Sequence, residues 1–364
     1  MRSAIWLLTK ALKPVAARWA RPRYFGRHDL ASIGACRIAI VACHWVGDTF
    51  WATQVIEPLQ RRFPGSEVYA ISKPSGLELW NGLVEADHRI AAAAVVSDRR
   101  REEVSWPAIA ARAAELRAIG FDLVIDLTGN RYSAYFTFLL RPAVALGFDG
   151  GELGWLYSQR VADAARPKRH LSERPFRVIE PLLSGWGEPF AYPRPLRPPT
   201  PACPPDEVRR ALNLPDGPYY VISPGAGWAA KEWKAENFIA AGRRLRKPGA
   251  RIVVAGSQGQ GAICQRVAGE IDGAVTLVGQ SIGRLAALLQ QAEGVLCNDS
   301  GAGHLAAAMG RRTAVVFIKS RGGRLVTDPD LCAPLGPPGT AKVFYSDAEI
   351  ADVVEFLEGA GLPY

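Results

Sequence analysis

The chain has 364 residues, enough for two domains at about 150 residues each. Hydrophobic residues make up 48% and charged residues 22%, the balance of a chain with buried cores, which excludes a disordered, collagen-like or coiled-coil protein. Formal net charge is +9, and residues 1–30, with seven basic residues against the single acid Asp29, carry +6 of it. The body is therefore nearly neutral and only the N-terminal arm is basic, a distribution that argues against nucleic acid as a partner.

In that arm Ile5, Leu8, Leu12, Val15 and Trp19 recur at three- and four-residue steps, the spacing of an amphipathic helix, with Pro14 as a kink. Lys10 and Lys13 leave too short an apolar run for a secretory signal. Three readings stay open: a mitochondrial-type presequence, a helix packed on its own domain, and a basic helix lying on an anionic membrane surface. No run of 18 apolar residues exists, so no spanning helix is expected. The six cysteines, at 36, 43, 203, 264, 297 and 332, form no CxxC pair and have no histidine at zinc-ligand spacing. They read as thiols in a reducing compartment, with no metal site.

After the arm, Arg37–Cys43 is a β-rich run that ends in the glycine-containing turn His44–Asp48. A helix is predicted over Thr49–Phe63, then a short strand over Val68–Ser72. Pro107–Ile119 reads as a helix with Gly120 as its C-terminal cap, followed by the buried strand Phe121–Leu127. Residues 193–205 hold seven prolines in thirteen positions, a stiff extended connector and a domain boundary. The second half repeats the alternation. Strands are predicted at Tyr219–Ser223, Arg251–Ala255, Ala274–Val278, Gly294–Cys297 and Thr313–Ile318. Helices are predicted at Ala235–Leu245, Ile282–Gln291, Ala302–Met309 and Asp347–Glu358. Strand–helix alternation in both halves predicts an α/β protein of two doubly wound, Rossmann-like domains facing each other across a cleft. The expected divisions are an arm at 1–30, a first domain at 31–192, the connector at 193–205, a second domain at 206–345 and a C-terminal helix at 346–364.

Ligands of parallel sheets bind beyond the carboxyl ends of the strands, so the turns there are the candidate chemistry. The most informative follows Gly294–Cys297 and reads Asn298-Asp299-Ser300-Gly301-Ala302-Gly303-His304. A helix beginning there leaves backbone N–H groups unpaired and its positive dipole end outward, and two glycines would let a ligand approach the backbone. That is a phosphate or diphosphate site, though a simple N-cap at Asp299 or Ser300 explains part of it. Lys231, between Trp228 and Trp233, is either a solvated lysine or a reach toward phosphate. Asp48 is either a first-turn carboxylate or a general base suited to taking a proton from a sugar hydroxyl. The glycine spacing of GSQGQG does not fit a dinucleotide fingerprint, and GxxxxGK[ST] is absent.

Four segments together resemble glycosyltransferase family 9, the ADP-heptose:lipopolysaccharide heptosyltransferases: HWVGDTFWATQVIEPLQRRFPGSEVYAIS, FDLVIDLTGNRYSAYFTFLL with ALGFDG, SPGAGWAAKEWKAENFIAAGRRL, and TLVGQSIGRLAALLQQAEGVLCNDSGAGHLAAAMGRRTAVVF. The resemblance implies a GT-B fold and an inverting, metal-independent transfer with no cofactor beyond the nucleotide-sugar donor. It implies Asp48 as the base, Lys231 as the charge that neutralises the leaving diphosphate, and Asp299 on the donor sugar. Gly301 and Ala302 would hold phosphate through their backbone, with Ser300 and His304 in the same loop. Gly225, Gln260 and Gly279 would complete the nucleotide-sugar site. The acceptor would be a lipopolysaccharide core or related lipid-linked glycan, met in the cytoplasm or on the inner face of the inner membrane. The chain departs from the pattern at Gln260, where the family has a ribose-binding Glu, at Lys234 and Ala302, where it has Pro, and at Ile318-Lys319-Ser320, where it has Gly-Pro-Thr. Two other readings follow from those departures: a GT-B enzyme with another donor or a protein acceptor, and a catalytically silent nucleotide-sugar binder.

Overall fold

The computed structural model describes residues 12, 14–20, 24, 30, 33–34, 37–93, 104–149, 152–162, 169–184, 192 and 195–359. The chain divides into two compact units, Met1–Tyr192 and Pro193–Tyr364. Each is built on a six-stranded sheet whose paired strands all run parallel.

In the first unit the elements run β1 (Arg37–Ala42), α1 (Val46–Thr53), α2 (Ile56–Arg62), β2 (Glu67–Ser72), β3 (Arg89–Ala91), α3 (Trp106–Leu116), β4 (Leu123–Asp126), α4 (Arg131–Leu139), β5 (Val144–Phe148), β6 (Gln159–Val161) and α5 (Arg174–Leu183). The sheet order is β3-β2-β1-β4-β5-β6. The second unit runs α6 (Pro205–Ala211), β7 (Tyr219–Ser223), α7 (Ala235–Leu245), β8 (Arg251–Gly256), α8 (Gly261–Gly269), β9 (Val275–Val278), α9 (Ile282–Gln290), β10 (Gly294–Asn298), α10 (Gly301–Ala308), β11 (Arg312–Phe317), α11 (Pro329–Cys332), β12 (Ala341–Tyr345) and α12 (Ile350–Glu358). Its order is β12-β11-β10-β7-β8-β9, the same doubly wound pattern. In both sheets the central strands are apolar on both faces, as helices on both sides require; all of β4, β5 and β10 is buried.

Several sequence expectations shift. The helix expected over Thr49–Phe63 is two helices with a break at 54–55. Pro58 is the cause: it lacks the N–H that would bond residue 54, so it is tolerated only in the first turn of a new helix. Helix α1 also starts three residues early, so Asp48 stands inside its first turn rather than in a preceding loop. The short strands β3 and β6 and the strands β5 and β12 carry too little local pattern to be read from sequence. The C-terminal helix begins at Ile350, not Asp347. Part of the proline-rich connector lies against the second unit: Leu196 is buried, and the Ala202 amide donates to the Gly283 carbonyl at 3.1 Å.

Most of the arm, including Ile5, Leu8, Lys10 and Lys13, lies outside the described residues. Residues 14–19 are helical. Their small side chains face inward: Ala16, Ala20 and then Tyr24 cluster with Ala134, Phe138, Ala145, Leu156 and Tyr157. The Tyr24 hydroxyl donates to the Leu156 carbonyl at 2.8 Å. Trp19 lies under the guanidinium groups of Arg117 and Arg141, at 4.9 and 5.4 Å from its ring centroid. Leu12 and Val15, of the apolar stripe read from sequence, are exposed.

Under that cluster, Tyr157 donates to Asp126 Oδ2 at 2.6 Å, while Asp126 Oδ1 accepts from the amides of Thr128 (2.8 Å) and Gly129 (3.1 Å). Burial pushes the Tyr157 phenol well above its ordinary value, and Asp126 adds to the rise. The unfolded phenol ionises near pH 10 and the folded one does not, so the unfolded state loses the proton first and stability falls as pH rises above about 10. Tyr157→Phe is expected to cost about 1–3 kcal/mol at neutral pH, because a buried carboxylate oxygen loses its donor. It should also make the alkaline limb of a urea-unfolding profile shallower; an unaltered neutral-pH midpoint would contradict the pairing.

Candidate active site

In each sheet the strand order reverses once, between β1 and β4 and between β7 and β10. Crossover helices leave on opposite faces at that point, so the loops beyond the two strands diverge and leave a crevice at the carboxyl edge. Both sets of candidate residues fall there.

In the second unit, β10 ends on Asn298, which is fully buried. Its Oδ1 accepts from the Trp233 amide at 2.9 Å and its Nδ2 donates to the Pro224 carbonyl at 2.7 Å. One side chain thus ties both ends of the loop after β7 to the end of β10. The loop carries Lys231, whose Nζ is ion-paired with Asp299 Oδ2 and stands 4.2 Å from the centroid of the Trp228 ring. Asp299 Oδ2 also accepts from Thr327 Oγ1 at 2.8 Å and faces Cys332 Sγ at 3.8 Å. The side chains of Lys231 and Asp299 are only 13% and 6% exposed, so the pair is largely shielded from water and is screened less than a surface pair. Burial, with Asp299 nearby, pushes the Cys332 thiol up to about 12, which keeps it neutral and unreactive.

Ser300 is the N-cap of α10. Its side chain caps no helix N–H, and among the described residues its buried Oγ has no partner within ordinary hydrogen-bond geometry. The N-cap explanation of Ser300 therefore fails, and a buried donor stands at a helix N-terminus whose first N–H groups, at Gly301 and Ala302, have no partner within the helix. His304 is buried one turn on. Gly303 differs from expectation: a Cβ there would stand 2.8 Å from Cys297 Sγ, so this glycine seats α10 against β10 rather than admitting a ligand.

The remaining candidates line the neighbouring loops. Gln260 lies directly on Gly225, where any Cβ would overlap its amide. Its Oε1 accepts from the Ser257 amide at 2.9 Å and its Nε2 donates to the Ala226 carbonyl at 3.1 Å. Gln260 therefore joins the loops after β7 and β8. Gly279 has a φ of +68°, a conformation costly to any residue with a Cβ, and lies against Gln258. Asn298, Thr327 and Trp228 are contacts that sequence reasoning missed. Asn298 stood within the motif without being singled out, and Thr327, 28 residues beyond Asp299, gave no signal.

In the first unit Asp48 is the third residue of α1, in its first turn, and is half-buried. The turn before it is fixed from β4: the Cys43 amide donates to Thr128 Oγ1 at 2.9 Å, and His44 Nε2 lies 2.8 Å from the Leu127 carbonyl. Through Thr128 this turn rests on the buried Asp126 carboxylate.

The sequence model described as glycosyltransferase family 9 (heptosyltransferase) matches residues 109–335. The chain belongs to that family. It is 26% identical over 206 residues to lipopolysaccharide heptosyltransferase 1 of Pseudomonas aeruginosa, a match covering 56% of this chain and 56% of that protein. The chain thus spans little more than half the length of this curated relative. Among solved structures it resembles the ADP-heptose LPS heptosyltransferase II of E. coli, with a TM-score of 0.69 at 18% identity over 88% of this chain and 97% of that one. An E. coli heptosyltransferase solved with ADP gives 0.66 at 23% identity over 88% and 99%. A family 9 glycosyltransferase from Veillonella parvula gives 0.67 at 19% identity, over 87% of each chain. At such identities the likeness is one of fold, and the fold of this family 9 chain is α/β of the GT-B class, two Rossmann-like doubly wound units.

Asn298→Ala would leave the Pro224 carbonyl and the Trp233 amide without their partner. Urea unfolding should then show a loss of about 2–4 kcal/mol, and unchanged stability would remove Asn298 as the tie between these loops.

Proposed function

We propose that the protein is an inverting glycosyltransferase that moves a sugar, heptose by family, from a nucleotide-diphosphate sugar, ADP-heptose by family, to a lipopolysaccharide core or related glycan. The observation that carries this reading is the pairing of Lys231 with Asp299 beside an uncapped α10 N-terminus, in a chain of family 9. The acceptor hydroxyl oxygen bonds to the anomeric carbon as the bond from that carbon to the donor's phosphate oxygen breaks. Asp48 takes the hydroxyl proton. A single displacement of this kind inverts the anomeric centre. Negative charge grows on the departing diphosphate, where Lys231 and the N–H groups of Gly301 and Ala302 meet it, with Ser300 Oγ as a further donor. Asp299 has its Oδ2 occupied by Lys231 and Thr327, which leaves Oδ1 for the donor sugar's hydroxyls. His304 supports the loop. Gly225 and Gly279 keep the backbone close to the nucleotide, and Gln260 bears on it through the loops it joins. The mechanism asks nothing of a metal or of any cofactor beyond the donor.

Among the described residues no helix is long and apolar enough to cross a membrane. We infer a cytoplasmic enzyme that meets a lipid-linked acceptor at the inner face of the membrane. Outward-facing Leu12 and Val15, beside exposed Trp19 and Arg18, support attachment through the arm. Leu12→Glu with Val15→Glu should lower partitioning onto anionic vesicles while leaving the fold intact, since neither side chain packs inward. Partitioning equal to wild type would contradict the arm's role.

The central test is thermal stability with ADP, UDP, GDP, dTDP and CMP. A ligand at about 100 times its Kd stabilises by roughly 2.7 kcal/mol. A selective shift with ADP is expected, and Lys231→Ala should weaken ADP binding by about tenfold or more, a charge-assisted contact being worth about 1.5–3 kcal/mol. Asp48→Ala should abolish transfer while ADP binding stays near wild type. A shift with another nucleotide would reassign the donor, and no shift with any would favour a silent protein.

A further inference from the structure

Arg174 is the first residue of α5 and is half-buried. Its guanidinium lies over the Phe148 ring, with Cζ 4.6 Å from the centroid. Its Nε is buried and has no hydrogen-bond partner. Among the described residues no carboxylate pairs with the group and no oxygen accepts from it. The ring attracts the cation but offers no lone pair to its N–H groups. Donors drawn out of water and left idle cost stability, so the fold itself supplies no reason for them. Arg89 shares the buried, unpartnered Nε, but it opens β3 and so stands at the amino edge of the sheet.

Arg174 stands at the opposite edge, where the strands end. Phe148 is the last residue of β5, and Gly129 belongs to the loop beyond β4. Gly129 has a φ of +67°, and a Cβ there would be 3.3 Å from both Arg174 Nη2 and Phe148 Cδ2. Glycine thus meets a backbone constraint and leaves room for the guanidinium. The Gly129 amide is itself held by Asp126 Oδ1 at 3.1 Å. The same loop fixes the turn that leads to Asp48, through the Cys43 amide on Thr128 and the His44 ring on Leu127. The segment before α5 lies against α1, with the His170 ring 5.5 Å from that of Trp51 and edge-on to it. Arg174 and Asp48 are therefore carried by neighbouring elements at one edge of one sheet, and the guanidinium keeps its place before any ligand arrives, which lowers the ordering cost of binding.

We propose that Arg174 binds an oxyanion of the acceptor, a carboxylate or phosphate group carried on a sugar, a role that rests on the transferase reading above. The planar fork of a guanidinium matches two oxygens of either group, and its N–H donors then have the acceptors that the fold withholds. A charged substituent held at one fixed point orients the sugar that bears it, which is what a displacement requires of its nucleophile. The acceptor class is therefore an acidic sugar rather than a neutral one.

The test uses the full-length protein labelled with 15N-arginine at constant ionic strength, with the Arg174 Nε–H signal assigned by its absence in Arg174→Met. The probes are methyl β-D-glucuronide, glucose 6-phosphate and the neutral methyl β-D-glucopyranoside. The signal is expected to shift saturably with one or both anions and not with the neutral glycoside; the tighter anion identifies carboxylate or phosphate as the group bound. Anion affinity should fall about tenfold in Arg174→Met, fall less in Arg174→Lys, which keeps the charge without the fork, and stay near wild type in Arg89→Ala. Arg174→Met retains an apolar stem and should unfold in urea at or above the wild-type midpoint. A clearly lower midpoint would mean that the guanidinium serves the fold, against the proposal. ADP binding together with an Arg174 signal indifferent to both anions overturns the anion role alone. Equal shifts with the neutral glycoside, or an equal loss of affinity in Arg89→Ala, overturn it also. Absence of ADP binding in the wild type overturns the transferase reading and the acceptor role with it.

Discussion

A parallel strand reaches its neighbour only by a crossover, and in each unit the crossovers change direction once. That reversal, between β1 and β4 and between β7 and β10, is the constraint on which the rest depends. It opens the sheet's carboxyl edge at one place and leaves backbone groups there without a strand to pair with. Asn298 at one reversal and Asp126 at the other take up those groups from beneath. Both are fully buried; Asn298 bonds main chain through both amide atoms, and Asp126 through Oδ1 while Oδ2 takes the Tyr157 hydroxyl. The charged residues then stand on loops whose course is already fixed. Lys231 and Asp299 meet across two such loops without further rearrangement.

The Lys231–Asp299 pair also explains why such costly groups are tolerated with so little exposure. A buried lysine or carboxylate alone would shed its charge, whereas the pair offsets the loss of water for both. Thr327 adds a donor to the same carboxylate oxygen. Beside the pair, the first N–H groups of α10 have no partner within the helix, and the buried Ser300 Oγ does not cap them.

Much of this was legible in residues alone. Local pattern gave the alternation of strand and helix, the boundary near 193, and the motif Asn298–His304 with its helix start. Lys231 and Asp299 were each singled out, but nothing local says that side chains 68 positions apart touch. Gln260 read as an amide in place of a ribose-binding carboxylate; in the fold both of its amide atoms bond backbone. Gly303 read as room for a ligand and proves to be room for Cys297. In these cases the residue type was legible and its contacts were not, because packing of loops and helices against the sheet selects them.

The sequence by itself determined the class of the protein: two α/β units, a basic arm, an N-terminal helix dipole at the phosphate motif, and the residue set of family 9. These follow from periodicity, composition and short-range spacing, which a linear chain carries in full. The tertiary structure alone decided which groups meet. It paired Lys231 with Asp299, released Ser300 from capping, and turned Leu12 and Val15 outward while alanines packed inward. Such contacts join residues far apart in the chain or depend on which face a helix presents. They are set by how strands order and helices pack, which no local stretch of sequence specifies.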